Sequence, residues 1–280
     1  MSGNPIPQAA PAAPAVSRAL YVPQACTEAS AVVYGVGHAG AGAASWKPVA
    51  AGLGPAAEIR AYRLPGRDNR LREPPHASVQ AAAAELAAAV VERWREDGRP
   101  YLIAGICSGA LIGRVALSVI ASAAPDAAAG ALGLLAVDQP APGAPEPPLS
   151  GLPTAELRRW LDEHGDTPSR VLGDDRLFAF FEPALRGDLR MAEDYTHRLE
   201  PLDVPLLLVR AAGQSEADID LAGWRQDAAG PVHVLGAVAP GGLLATRPDD
   251  LADVLGAALA AVGQVAVGSP PPSSPGRPAW

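Results

Sequence analysis

Short apolar runs alternate with longer amphipathic segments along most of the chain. The runs "ALYVP" (19–23), "SAVVYGVG" (30–37), "EIRAYRL" (58–64), "YLIAGI" (101–106), "ALGLLAV" (131–137), "PLLLVRA" (205–211) and "PVHVLGAV" (231–238) predict seven strands. Most are apolar throughout rather than at every second position, as expected of strands covered on both faces. Helical patterns fill the gaps at 42–53, 78–97, 108–122, 219–228 and 247–262. Strand–helix alternation predicts an α/β fold: a mostly parallel sheet with helices on both faces. Ligands bind such sheets at the carboxyl ends of the strands. Residues 150–197 break the alternation. "LPTAELRRWLDEHG", with Thr154 as its expected N-cap, and "RLFAFFEPALRGDLRMAEDY" are helical in pattern and lie between two strands. An excursion of this kind is expected to form a lid over the site.

Composition narrows this picture. The chain has 280 residues, 49% of them apolar, enough for one large α/β domain. Its formal net charge of −8 argues against general nucleic-acid binding and against docking on an anionic membrane. No stretch approaches the roughly 20 apolar residues of a membrane span. The two cysteines, Cys26 and Cys107, make neither a disulfide framework nor a metal cluster, so a reduced cytoplasm is expected. Residues 1–17 form a Pro/Ala-rich leader without signal-peptide features, and 265–280 a Pro/Ser-rich tail. Both are expected to be disordered around a folded domain spanning 18–264.

The chemistry concentrates in "YLIAGICSGALIGRVAL" (101–117), a strand, a Gly-rich corner and a helix. This is the layout of the nucleophile elbow, G-x-S-x-G, of α/β-hydrolases. The middle of the pentad Gly105-Ile106-Cys107-Ser108-Gly109 is a cysteine. Elsewhere a buried cysteine is usually a small inert hydrophobe. At a helix N-terminus its thiolate is stabilised, with thiol pKa values falling from about 8.5 to roughly 3.5–7.5. Cys107 is therefore the expected nucleophile. Ser108, one residue past the tip, is the rival.

Four stretches in order resemble the type II thioesterases of polyketide and non-ribosomal peptide synthesis. They are "GHAGAGAASW" (37–46), "YRLPGRDNRLREPP" (62–75), "GICSGA" (105–110) and "HGDTPSRVL…LRGDLRMAEDY" (164–195). The resemblance runs from about 30 to 262 and implies an α/β-hydrolase fold with a helical lid. It also implies an oxyanion hole from the backbone N–H groups of Ala39 and Ser108, with Gly40 and Gly42 giving the loop room, and a structural role for Arg67 in its Leu-Pro-Gly-Arg segment.

A triad of this fold needs an acid and then a histidine after the nucleophile. Asp138, directly after a predicted strand, is the preferred acid; Glu216 and Asp218 are alternatives. The family's Gly-Gly-His motif is "APGGLLATRP" here (239–248), so Leu243 occupies the histidine position. Among the five histidines, His38 is expected to lie nearest Cys107 and is the candidate substitute base. His76, His164, His197 and His233 are expected to be structural or at the surface.

A thiolate exchanges thioesters without a proton relay, whereas hydrolysing an acyl-cysteine needs activated water, where a general base contributes about 10²–10⁴-fold. Cysteine for serine together with leucine for histidine favours capture and transfer, or cyclisation, over fast hydrolysis. A conventional editing hydrolase with a relocated base and a silent carrier-binding module are the alternatives. The resemblance implies an acyl or peptidyl carrier protein as partner, its phosphopantetheine arm presenting an acyl or aminoacyl thioester. No metal or organic cofactor is called for. Residues 58–73 carry Arg60, Arg63, Arg67, Arg70 and Arg72. Arg63 and Arg70 are expected to dock the carrier.

Overall fold

The computed structural model describes residues 18–144, 148–164, 167–196, 199–217, 219–238 and 242–268, with backbone alone for 264–268. The strands are β1 (Leu20–Tyr21), β2 (Val32–Val36), β3 (Glu58–Tyr62), β4 (Tyr101–Ile106), β5 (Ala131–Val137), β6 (Leu206–Ala211) and β7 (Val232–Val238). The helices are α1 (Trp46–Leu53), α2 (Val79–Asp97), α3 (Ser108–Ala123), α4 (Pro125–Ala128), α5 (Thr154–His164), α6 (Ser169–Leu172), α7 (Asp175–Glu193), α8 (Leu221–Gln226) and α9 (Pro248–Gly268). All seven predicted strands form one sheet in the order β1-β3-β2-β4-β5-β6-β7. Only β1 runs antiparallel to its neighbour.

The central strands are buried along their length because helices cover both faces. α2 and α3 pack on one face around Tyr34, Leu86, Ile103 and Ile112. α1 and α9 pack on the other around Trp46, Ile59, Leu102 and Leu255. α2 begins at Ser78, whose hydroxyl accepts the Ala81 N–H, and ends at Gly98 in the left-handed region. β2 and β4, paired in parallel at the centre, release their chains at the same sheet edge, which sets the loop after Val36 beside the corner after Ile106.

The excursion between β5 and β6 is helical, as the pattern predicts. α5, α6 and α7 share a small apolar cluster of Leu157, Leu161, Phe178 and Leu185, into which Ala39 also packs. Two expectations change in detail. Thr154 is the first residue of α5 rather than its cap, and its hydroxyl donates to Glu182 of α7 at 2.7 Å. α9 continues to Gly268, past the expected domain end at 264; "AAVGQVAVG" carries no proline to stop it. The expected leader (1–17) and the tail from 269 onward lie outside the described residues.

Candidate active site

Cys107 sits at the corner between β4 and α3 with φ 51° and ψ −131°. That backbone conformation costs a non-glycine residue on the order of 1–3 kcal/mol and persists only where surroundings enforce it. The neighbouring glycines are the enforcement. A Cβ on Gly105 would stand 2.3 Å from the Ala110 Cα, and one on Gly109 would stand 2.4 Å from the Val36 carbonyl oxygen. The Cys107 N–H donates to the Val137 carbonyl at 2.8 Å, tying the corner to β5. Ser108 is buried as the first residue of α3. Its N–H is among those that a helix start leaves without an intrahelical partner.

A cavity of about 230 Å³ opens at this corner. Its lining includes Cys107, Ser108, Ala39, Asp138, Gln214 and Leu243. The excursion supplies Leu149, Trp160, His164, Leu189 and Glu193. The structure thus brings the expected nucleophile, both residues of the expected oxyanion donors, the preferred acid and the substituted histidine position to one cavity.

The loop after β2 is anchored to the excursion. Asp188 of α7, 3% exposed, accepts the Gly40 N–H at 2.8 Å. It also pairs bidentately with Arg67, at 2.6 and 2.7 Å. Arg67 in turn donates to the Ala41 carbonyl at 3.2 Å. Gly40 has φ 81°, and a Cβ there would stand 2.5 Å from the Phe181 ring, so α7 packs directly on this turn.

Asp138 follows β5 with φ 52°. Its carboxylate accepts from the Gln214 Nε2 at 2.8 Å. Gln214 is oriented by the Ala211 N–H, which donates to its Oε1 at 2.7 Å. Glu216 is exposed and does not line the cavity, and Asp218 lies outside the described residues. Leu243 is 5% exposed and belongs to the α1–α9 face of the core.

Several expectations need correction. His38 lines a separate cleft with Arg170 and Phe181, not the Cys107 cavity, because its Nδ1 turns toward the Ala39 carbonyl at 3.0 Å. His164 is exposed, as expected, yet it is also the one histidine among the described residues that lines the cavity. His76 is bound up with Glu85 and Tyr62, His233 lies within β7, and His197 is outside the described residues. Arg63 and Arg70 do not form a docking face. Arg70 is 4% exposed and saturated by Glu73, Glu85 and the Arg63 carbonyl. Arg63 donates to the Arg18 and Leu20 carbonyls and stacks over Tyr21. Arg60 is buried between Glu58 and Asp97, and of the five arginines only Arg72 is exposed. Strand β3 and the turn after it point these long side chains inward.

Sequence reasoning also missed Trp160, Gln214 and Glu193 as lining residues. Trp160 and His164 stand four apart on α5, a spacing that places them on one helix face. Their rings stack with centroids 3.8 Å apart at 16°. Glu193 accepts from both the backbone N–H and the hydroxyl of Ser150, at 2.7 and 2.5 Å. Among the described residues, no cluster of three or more His, Cys, Asp or Glu could hold a metal ion, and no helix is long and apolar enough to cross a membrane.

Residues 32–242 match the model of the thioesterase domain family. The chain is 30% identical over 200 residues to thioesterase PikA5 of Streptomyces venezuelae, covering 69% of this chain and 68% of that protein. It is 29% identical over 208 residues, 72% of its length, to AMB antimetabolite synthetase AmbE of Pseudomonas aeruginosa, of which it spans 9%. The solved type II thioesterase BorB from the borrelidin biosynthetic cluster superposes with a TM-score of 0.69 at 25% identity, covering 86% of this chain and 97% of that one.

Proposed function

The chain belongs to the thioesterase domain family, and from that premise we propose that it acts in natural-product biosynthesis on acyl or aminoacyl thioesters carried by a carrier protein, through an acyl-enzyme on Cys107. The observation that carries the reading is Cys107 at a strained strand-to-helix corner, facing one cavity with Ala39, Ser108 and Asp138.

The Cys107 thiolate attacks the thioester carbonyl. The carbonyl oxygen takes up negative charge, which the N–H groups of Ala39 and Ser108 are suited to stabilise. The carrier thiolate leaves, and the acyl group remains on Sγ. This exchange is nearly isoenergetic and needs no histidine. Water is a different acceptor. Asp138 is bonded to the Gln214 amide, which has no base character, and Leu243 fills the place where a base would stand. Transfer to a bound thiol, amine or carbon nucleophile is therefore favoured over fast hydrolysis.

Intact mass spectrometry with a panel of acyl-carrier thioesters tests this reading. Wild type should gain the acyl mass on Cys107, and Cys107→Ala should not. Absence of any adduct across the panel would overturn the enzyme reading in favour of a carrier-binding module.

A further inference from the structure

We infer that His164, carried by the excursion rather than by the sheet, is the proton acceptor of the second half-reaction. The inference rests on the Cys107 acyl-enzyme and names the base that this reading leaves unassigned. Three observations carry it. First, His164 lines the Cys107 cavity, and no other described histidine does. Second, its Nδ1 lies 2.7 Å from the Trp160 carbonyl oxygen. A carbonyl only accepts, so in the neutral imidazole Nδ1 carries the hydrogen and Nε2 keeps the lone pair. Third, the Trp160 ring stacked on the imidazole restricts its rotation. A base whose second nitrogen is fixed by an acceptor is the arrangement that general-base histidines require. Here a backbone carbonyl takes the place usually given to a carboxylate.

The step balances without any further reagent. An acceptor X–H, where X is the sulfur, nitrogen or oxygen of a thiol, amine or water, enters the cavity. Nε2 of His164 takes the proton as X bonds to the acyl carbon. The bond from that carbon to Sγ breaks, its electron pair goes to Sγ, and the imidazolium returns the proton to the thiolate. Cys107 is regenerated as the thiol.

The position of the base shapes the outcome. Trp160, His164, Leu189 and Glu193, all carried by the excursion, line the cavity, with His164 itself exposed and the other three partly buried. The residue that activates the acceptor and these lining residues thus belong to one segment, and activation falls on an acceptor that binds against the excursion.

The experiment follows the decay of the acyl-Cys107 adduct by quenched-flow mass spectrometry. The adduct is loaded from acyl N-acetylcysteamine thioesters and chased with water, a small thiol or a small amine. His164→Gln keeps a donor to the Trp160 carbonyl but removes the base. It should load at the wild-type rate and decay about 10²-fold or more slowly with the preferred acceptor. His164→Ala should show the same delay, and added imidazole should restore the rate. Wild-type decay in His164→Gln, or no response of His164→Ala to imidazole, would overturn the inference and leave the Cys107 acyl-enzyme standing. Failure of wild type and both variants to load any acyl group would overturn both readings.

Discussion

The loops that follow β4 and β7 meet at one cavity but are held in different ways. After β4, two glycines pressed against backbone force Cys107 into its conformation, and the Val137 carbonyl holds its N–H. The adjoining turn at Gly40 is clamped by Asp188 and Arg67. After β7, the cavity is walled by Leu243, an apolar side chain that packs into the α1–α9 core and offers no proton chemistry. Asp138 beside it is occupied by an amide. Under the proposed Cys107 acyl-enzyme, the side that would capture the acyl group is tightly specified by backbone, while the side where a histidine base would stand is apolar. On that reading the two half-reactions are separable in one chain.

The largest effect should come from the captured side. Cys107→Ala should abolish the adduct entirely, as read by intact mass. Restoring the other side should follow. Leu243→His combined with Gln214→Ala gives Asp138 an imidazole in place of an amide. Loss of the adduct to water should then accelerate by about 10²–10⁴-fold. An unchanged lifetime would mean that the β7 side does not limit hydrolysis.

A smaller effect tests the clamp. Asp188→Asn keeps the shape but removes the charge paired with Arg67. The Gly40 turn should loosen, and acylation should slow by about 10–10²-fold with little change in half-saturating substrate. An equal loss in a variant that has only been destabilised elsewhere would show the clamp to be scaffolding alone.

The smallest effect concerns the support beneath the Arg67 turn. Burial pushes the Glu85 carboxyl up, but hydrogen bonds from His76, Arg70 and Tyr62 outweigh it and hold the pKa at about 2, against an ordinary 4.5. A carboxyl depressed in this way contributes stability that is complete above its unfolded value. That stability is lost as pH falls from about 4.5 toward about 2. Glu85→Gln should cost roughly 1–3 kcal/mol at neutral pH, and its denaturation midpoint should depend less on pH across that window.

Much of the architecture was legible because continuous apolar runs and helical spacing are local signals. The strands 101–106 and 131–137 appear with the predicted limits. The elbow was legible for a related reason, since glycine spacing encodes a backbone clash that no other residue avoids. What stayed hidden depends on where long side chains turn. Arg63 and Arg70 have the composition of a docking face, but β3 and its following turn direct them to carbonyls and carboxylates inside the protein. His164 looked peripheral because it stands 27 positions after Val137, the end of β5, and only the fold of the excursion returns it to the cavity. His38 looked central because it adjoins Ala39, yet its ring turns to the carbonyl of that residue.

The contact of Asp188 with both Gly40 and Arg67 also bears on how such excursions are inherited and exchanged. A segment spliced in from a relative brings its own α7 but leaves residues 40 and 67 behind in the recipient. A graft lacking a carboxylate at 188 would strand a buried guanidinium and release the turn next to Ala39. The unit of modular exchange in this scaffold is thus discontinuous in sequence: the excursion, the glycine turn after β2, and one arginine after β3.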